Sequence, residues 1–443
     1  MTAALGRRLA GALVTTALLC AAALPAAAEL AGHGGYVKGV AVSPDGRRAL
    51  SASFDYRLIL WDLATQAEIR DFNEHEGAVN AVAFLPDGDH AVSGGDDATV
   101  RLWAVDSGRL LHTFDGHRGK VADVAVSPDG ALAASAGWDR SVRIWDLAQR
   151  RLIRVLDGYE NNVNAVVFLP DGERLLTGGY DGTLTLWRLQ DGTQLQTLTG
   201  HDFGVTALAV SRDGRRALSA SIDETLILWD LSTGAPLRTF LGHDGPVMGA
   251  ALSPDGDLVA SGGVDNSVRI WDLAAEDAAL VLNGHHEPIW SLAFTPDGRR
   301  LLSAGSDEVV RVWDVSSGQE IGNGSTRDLA YLRRPEATGD ERGADLFQKC
   351  SVCHTVSADG GNRAGPTLYG VFGRRAGSVE GYKYSDALRN SDLVWTEATI
   401  DALFAEGPHE YTPGSKMPLQ RMPDAKDRAD LIAYLKKITA PDE

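Results

Sequence analysis

Seven tryptophans spaced 42 residues apart restrict the fold of this chain more than any other feature of its sequence. They are Trp61, Trp103, Trp145, Trp187, Trp229, Trp271 and Trp313. An aspartate lies six residues before each tryptophan, and a histidine lies 28 residues before six of them, with Tyr159 in the fourth unit. A regular period of this length indicates an array of similar units, each of which buries its apolar faces only against its neighbours.

Short antiparallel strands are predicted within each unit. Apolar residues alternate with small or polar ones, as in VKGVAVS and TLILWD, and an Asp-Gly pair recurs at one position of every unit. Alternation predicts strands with one buried face, and Asp-Gly predicts the tight turns between them. Each unit should therefore form a small sheet.

The units resemble those of WD-repeat β-propellers, with Gly-His near the start and Trp-Asp at the end. The resemblance implies an all-β seven-bladed WD-repeat propeller over residues 29–324. It also implies that His33, Ser51, Asp55 and Trp61 form a buried hydrogen-bonded set in the first unit. The repeated histidines are then structural, because one histidine per blade does not gather around a single metal ion.

Residues 1–28 have the parts of a secretory signal peptide. Arg7 and Arg8 precede an apolar run, and small residues precede Glu29. The apolar run is shorter than the roughly 20 residues of a membrane-spanning helix. We expect cleavage after Ala28, export to the bacterial periplasm, and no membrane span in the mature chain.

Closure of the ring is expected to differ from that of many relatives. After cleavage only Glu29 to Gly32 precede His33, too few for the N-terminal strand that completes the last blade in those relatives. We expect the outer strand of the last blade to come from the residues after Trp313.

A different signature follows in residues 341–443. Cys350, Cys353 and His354 form C-x-x-C-H, in which two thiols bond to the vinyl groups of a c-type haem and the histidine ligates the iron. A redox dithiol or half of a zinc site has the same spacing, but no second cysteine pair completes a zinc site. One covalently bound haem c per chain is predicted.

The same segment resembles class I c-type cytochromes of the mitochondrial and soluble bacterial type. The matching stretches are GPTLYGVFGRRAG at 365–377, GYKYSDAL at 381–388, YTPGSKM at 411–417 and DLIAYLKKI at 430–438. The resemblance implies an all-α class I cytochrome c domain over residues 341–443, following a linker at 325–340. It also implies Met417 as the second iron ligand; Met422 is an alternative that lacks the Pro-Gly context.

Supporting residues of the haem site also follow from the resemblance. The carbonyl of Pro366 is expected to support His354. Arg374, Tyr384 and Trp395 match positions that contact the haem propionates in relatives.

In such a domain the first and last helices cross. Gly343 and Phe347 should pack in the core against the last helix, near Leu431 and Tyr434.

The charge distribution bears on the partner. Subtracting +2 for residues 1–28 and −3 for residues 340–443 from the total of −18 leaves −17 for residues 29–339. A propeller this acidic repels nucleic acid and favours a basic protein partner.

Two tryptophans, Trp138 and Trp290, lie outside the repeat register but near markers of one ring face. With Phe54, Tyr180 and Met248 they are predicted to bind the partner, because exposed aromatic residues are common anchors of interfaces. Packing on neighbouring blades or on the cytochrome domain is the alternative.

These features predict an exported one-electron carrier whose propeller docks a redox partner protein. An oxidoreductase, with a substrate or second cofactor on the propeller that passes electrons to the haem, is the alternative. No residue is assigned a catalytic role, because the sequence has no phosphate-binding glycine loop and no convincing nucleophile and base.

Overall fold

The structure of the protein is a computed structural model that describes residues 29–275, 278–321, 342–344, 346–347, 350, 354–357, 365–382, 384, 386–412 and 422–440. The signal peptide and the linker predicted at 325–340 lie outside the described residues. Up to residue 321 the chain forms strands, and from residue 342 onwards it is mainly helices and loops.

Seven four-stranded antiparallel sheets form the first part of the structure. The innermost strands are β2 (Val37–Val42), β6 (Val79–Phe84), β10 (Val121–Val126), β14 (Val163–Phe168), β18 (Val205–Val210), β22 (Val247–Leu252) and β26 (Ile289–Phe294). The second strands are β3 (Arg48–Ser53), β7 (His90–Gly95), β11 (Leu132–Gly137), β15 (Arg174–Gly179), β19 (Arg216–Ser221), β23 (Leu258–Gly263) and β27 (Arg300–Gly305).

The third strands carry the repeated tryptophans. They are β4 (Leu58–Asp62), β8 (Val100–Ala104), β12 (Val142–Asp146), β16 (Leu184–Arg188), β20 (Leu226–Asp230), β24 (Val268–Asp272) and β28 (Val309–Asp314). The outer strands are β5 (Glu68–Phe72), β9 (Arg109–Phe114), β13 (Arg151–Leu156), β17 (Thr193–Leu198), β21 (Pro236–Phe240), β25 (Ala278–Leu282) and, in the last blade, β1 (Glu29–Ala31).

The sheets form a closed ring, which confirms the seven-bladed propeller. Each innermost strand contacts the innermost strands of both neighbouring blades, and β26 contacts β2. The core lies between adjacent blades: one cluster joins Leu50 and Phe72 of the first blade to Val79 and Trp103 of the second. Each blade therefore depends on its neighbours for burial of its apolar residues.

The buried hydrogen-bonded set expected in the first blade is confirmed. The hydroxyl oxygen of Ser51 accepts a hydrogen bond from Trp61 Nε1 at 2.8 Å and lies 2.7 Å from His33 Nε2. His33 Nδ1 is 2.9 Å from the carboxylate of Asp55. Burial alone would raise the pKa of Asp55, but His33 and Arg57 beside it hold that pKa well below its usual range.

Tyr159 preserves only part of this set in the fourth blade. Its hydroxyl donates to Thr177 Oγ1 at 2.9 Å, and Trp187 Nε1 donates to the same oxygen at 3.1 Å. Within the described residues Asp181 is hydrogen-bonded by Thr183 rather than by Tyr159. Among the described residues, no hydrogen bond therefore joins Tyr159 to Asp181 in the way that His33 is bonded to Asp55 in the first blade.

Closure of the last blade contradicts the expectation that Glu29 to Gly32 are too few to form a strand. The three residues of β1 pair antiparallel with β28, and Leu30 opposite Val310 is fully buried. The residues after Trp313 extend the same outer edge of the last blade, because the backbone nitrogen of Ile321 donates to the carbonyl of Val312 at 2.7 Å. Three residues suffice because two short segments share one outer edge.

The cytochrome-like segment contributes helices α1 (Asp386–Arg389), α2 (Glu397–Glu406), α3 (Pro408–Tyr411) and α4 (Ala425–Ile438), and residues 342–344, 346, 347 and 350 are also helical. Thr396 caps α2 through a reciprocal bond pair with Thr399, and Asp424 caps α4. The predicted all-α domain is not confirmed as a whole, because only part of residues 341–443 is described and its named helices span 4 to 14 residues. Arg375 and Val394 also form an isolated β-bridge. No helix of the described residues is long and apolar enough to cross a membrane.

The expected crossing of the first and last helical segments is confirmed. The rings of Phe347 and Tyr434 are 5.9 Å apart. A Cβ on Gly343 would lie 2.4 Å from the carbonyl oxygen of Asp430, so only glycine allows this approach.

Candidate functional site

The haem motif begins on a helical turn. The backbone nitrogen of His354 donates to the carbonyl of Cys350 at 2.9 Å, so these residues are one turn apart. Cys350 is buried in an apolar cluster with Phe347, Phe404 and Leu431. Cys353 lies outside the described residues, and its role in haem attachment stays a prediction.

The imidazole of His354 is held in the orientation that a metal ligand requires. Its Nδ1 donates to the carbonyl oxygen of Pro366 at 2.7 Å. Burial lowers the pKa of His354, the bond to Pro366 opposes that shift, and the charge of Arg374 adds to it. The Nδ1 hydrogen bond leaves Nε2, which makes no hydrogen bond with the described residues, as the nitrogen that could bind a metal ion.

Gly365 is a site residue that the sequence did not single out. A Cβ on this residue would lie 2.3 Å from Cε1 of His354 and 2.7 Å from its Nε2. The loop that brings Pro366 to the imidazole therefore crosses the ring closely, and any side chain here would displace the ring.

The three residues expected near the propionates lie together. The guanidinium of Arg374 donates to the carbonyls of Thr367 and Tyr369 at 2.6 and 2.8 Å. The backbone nitrogen of Trp395 donates to the carbonyl of Arg374 at 2.9 Å. Burial raises the pKa of the Tyr384 hydroxyl, and the neighbouring Arg374 opposes that shift. The guanidinium of Arg374 thereby holds the backbone of residues 367–369 in place. Its positive charge lies beside the hydroxyl of Tyr384.

The second iron ligand is not placed by the structure. Met417 lies outside the described residues, and its assignment stays a prediction. Met422 packs against the apolar cluster around Cys350, and its backbone nitrogen donates to the carbonyl of Phe404 at 2.8 Å.

The donor set fits a haem rather than an isolated metal ion. No group of three or more histidine, cysteine, aspartate or glutamate side chains that could hold an ion occurs in the described parts of the chain. A haem needs only axial ligands and two thiols from the protein, because its ring supplies four nitrogens. A partly buried His354, oriented by Pro366 and one turn from Cys350, meets that need.

All five residues predicted to bind a partner line one cavity. It is about 500 Å³ in volume, lies among the innermost strands, and is bordered by Phe54, Trp138, Tyr180, Met248 and Trp290. Trp138 and Tyr180 are 43% and 48% exposed, whereas the other three are partly buried. The structure therefore brings the five together, and their binding role stays a prediction.

Two lysines in this cavity were missed. Lys38 Nζ lies 3.3 Å from the centroid of the Trp290 ring, and Lys120 Nζ lies 3.4 Å from that of Trp138. The sequence did contain a signal, because Lys38 and Lys120 are the only lysines before Lys349.

Comparison with known proteins agrees with both parts of this architecture. Seven segments match the family "WD domain, G-beta repeat", and residues 341–439 match the family "Cytochrome c". The repeat matches cover residues 26–62, 66–104, 108–146, 150–188, 192–230, 234–272 and 278–314. The chain belongs to the WD-repeat family, and its C-terminal segment is a cytochrome c domain with covalently bound haem c.

Several relatives of that domain are cytochromes c. The cytochrome c of Gibberella zeae is 50% identical over 105 residues, which are 23% of this chain and 98% of the relative. Those of Arabidopsis thaliana and Cochliobolus lunatus are each 43% identical over 100 residues, 22% of this chain and 88% and 92% of the relatives.

Proposed function

We propose that the protein is an exported one-electron carrier whose propeller docks its redox partner. The observation that carries this proposal is the His354–Pro366 hydrogen bond, which orients the imidazole as an iron ligand in a domain fused to a propeller. Bound haem c supplies a single-electron iron couple. The chain's own residues fix the imidazole, exclude water through the Cys350 cluster, and place the positive charge of Arg374 nearby.

Export is supported by residues 1–28, in which Arg7 and Arg8 precede an apolar run that ends in small residues. Cleavage after Ala28 would keep Glu29, Leu30 and Ala31, which pair with β28, in the mature protein. We place the mature protein in the bacterial periplasm.

Docking is supported by an aromatic rim around the cavity. Tyr36 is exposed and packs on Phe54 with 5.8 Å between ring centroids. Trp138 and Tyr180 are also exposed. Phe203 is 62% exposed and precedes Gly204, whose carbonyl accepts a hydrogen bond from the backbone nitrogen of Ile222, a residue that lines the same cavity. Aromatic residues at a rim are typical interface anchors, and the acidic propeller would attract a basic partner.

A kinetic experiment tests this proposal. The mature holoprotein is used to capture a periplasmic redox protein, and electron transfer between the purified pair is followed by stopped-flow haem absorbance. F54A/Y180A should lower the second-order rate at least about tenfold, because two anchors are removed. The control I69A/L237A removes two exposed apolar side chains from the outer strands β5 and β21 and should leave the rate unchanged. Equal rates for the wild type and F54A/Y180A would refute docking by this rim.

The alternative, an oxidoreductase with its substrate on the propeller, is favoured by one observation, the cavity with Lys38 and Lys120. It requires that purified holoprotein without a partner reduce its own haem when a small substrate is added. The electron-carrier proposal requires that the haem stay oxidised in this experiment.

A further inference from the structure

The two lysines of the propeller pair with the two tryptophans that fall outside its repeat. Lys38 covers Trp290, and Lys120 covers Trp138. All other cationic side chains between residues 29 and 339 are arginine or histidine. Four residues whose types do not recur at the equivalent positions of the other units thus meet in one cavity, which indicates a site rather than repeat architecture.

This cavity is built from equivalent positions of the innermost strands. Lys38, Asn80, Asn164, Thr206, Met248 and Trp290 are separated by multiples of 42 residues and all line it. The repeat keeps their backbones alike while their side chains differ. The wall is therefore asymmetric: cations and amides lie on some blades, and apolar groups lie on others.

Neither ammonium group has a carboxylate within ion-pair distance among the described residues. Asp96 faces both lysines, but its Oδ1 accepts from Asn80 Nδ2 at 2.8 Å. Asp123 accepts from the backbone nitrogens of Val124 and Val166, each at 2.9 Å.

Desolvation makes these cations costly. Burial, and then repulsion from Lys120, lowers the pKa of Lys38 to about 7, with Asp96 opposing the shift. Burial likewise raises the pKa of Asp123 to about 7. A partly buried cation without an ion pair is unfavourable in the apo protein, and a bound anion would compensate it.

One buried acceptor in the same wall also lacks a partner. Asn80 is 5% exposed, and its Oδ1 has no hydrogen-bond donor among the described residues. Its amide nitrogen is used twice, by Asp96 and by the carbonyl of Val121. The cavity thus offers the ammonium groups of Lys38 and Lys120 and one amide oxygen, Asn80 Oδ1, that can accept a hydrogen bond.

We propose that this cavity binds a small organic carboxylate held between Lys38 and Lys120. A volume of about 500 Å³ suits a small molecule. A carboxylate is favoured over a phosphate because no arginine of the described residues lines the cavity, whereas phosphate sites commonly use arginine pairs or backbone nests. The proposal does not depend on the redox partner.

Calorimetric titration of the mature holoprotein tests it. The probes are succinate, butyrate with the same number of carbons and one carboxylate, and inorganic phosphate. Binding of succinate or butyrate is expected, with affinity at least tenfold lower in K38M and in K120M, since methionine keeps an unbranched side chain over the tryptophan and removes the charge. K38R should retain binding, and K426M, an exposed lysine of α4, is the control.

Several outcomes overturn the proposal. They are binding of phosphate alone, no binding of any probe at millimolar concentration, and equal affinity in K38M, K120M and the wild type. Far-UV circular dichroism and the haem spectrum verify folding of each variant. Y36A/F203A separates this site from docking, because Tyr36 and Phe203 are exposed rim residues that do not line the cavity; it should weaken partner binding and keep carboxylate binding.

Discussion

The carboxylate of Glu29 lies 3.3 Å from the guanidinium of Arg311, although the two residues stand at opposite ends of the propeller sequence. Both side chains are 6% exposed. Arg311 also pairs with Glu320 at 2.8 Å, and Asp307 lies 3.9 Å away. One buried cation thus joins the N-terminal strand, the last blade and the segment that leaves the propeller.

Replacing Arg311 by methionine should lower the free energy of unfolding of the propeller by about 3 kcal/mol, because the buried ion pairs of Arg311 with Glu29 and Glu320 are lost. Glu29→Gln should cost less, since Arg311 keeps Glu320. Urea unfolding followed by far-UV circular dichroism measures both. Arg188→Met, which removes an exposed pair with Asp191, is the control, and an equal loss there would contradict the role of Arg311.

Gly365→Ala should disturb the haem site while leaving haem attached, because the added Cβ would overlap the imidazole of His354. The expected signature is a shift of the absorption spectrum towards high-spin iron. Gly373→Asn is the control: Gly373 has a φ of +84° with nothing within 4 Å of an added Cβ, and asparagine tolerates that conformation. An unchanged spectrum in Gly365→Ala would show that the loop lies elsewhere.

Met417→Ala should open the sixth coordination position without loss of haem, because attachment depends on the cysteines. Loss of the methionine-to-iron absorption band and gain of carbon monoxide binding would be observed. Met422→Ala should keep that band and only lower stability, since Met422 packs in the apolar cluster. The reverse pattern would assign the ligand to Met422.

The double variant Cys350→Ser with Cys353→Ser should carry no covalent haem, because it lacks both thiols. Haem staining of denaturing gels measures this directly. A stained band in the double variant would refute the attachment site.

Acid should weaken the propeller through its buried histidines. Burial lowers the pKa of His201 and His243, so the unfolded chain binds protons that the folded chain does not. Their contribution is present above the ordinary histidine pKa of about 6.5 and is lost as the pH falls through the lower folded values.

His201→Tyr should therefore reduce the slope of unfolding free energy against pH between about pH 5.5 and 7. Tyr159→Phe removes the corresponding hydrogen bond of the fourth blade without removing a histidine, and should leave the slope unchanged. The slope is read from urea titrations at three pH values. Equal slopes in the wild type and His201→Tyr would contradict this origin of acid sensitivity.

The blades and their hydrogen-bonded sets could be predicted because each depends on spacings within one 42-residue unit. The set of His33, Ser51 and Trp61 is of this kind. Closure could not be predicted, because Glu-Leu-Ala has no strand period of its own and becomes a strand only against Val310 and Arg311.

The haem site shows the same division. Its motif identified His354 directly, since the chemistry requires contiguous residues. Gly365 became apparent only when the loop was seen to cross the imidazole. Lys38 and Trp290 lie on the first and last blades, so only ring closure brings them into contact.

The shared outer edge of the last blade also sets an order of events in folding. Among the described strands, β1 is the first to be synthesised, and it pairs with β28, the last of them. Pairing over so long a sequence separation is slow, because a large loop entropy is lost before any contact is gained. Until β28 is complete, Leu30 and the edge of the growing sheet array remain open to strands of other molecules, so ring closure is the step at which aggregation competes with folding.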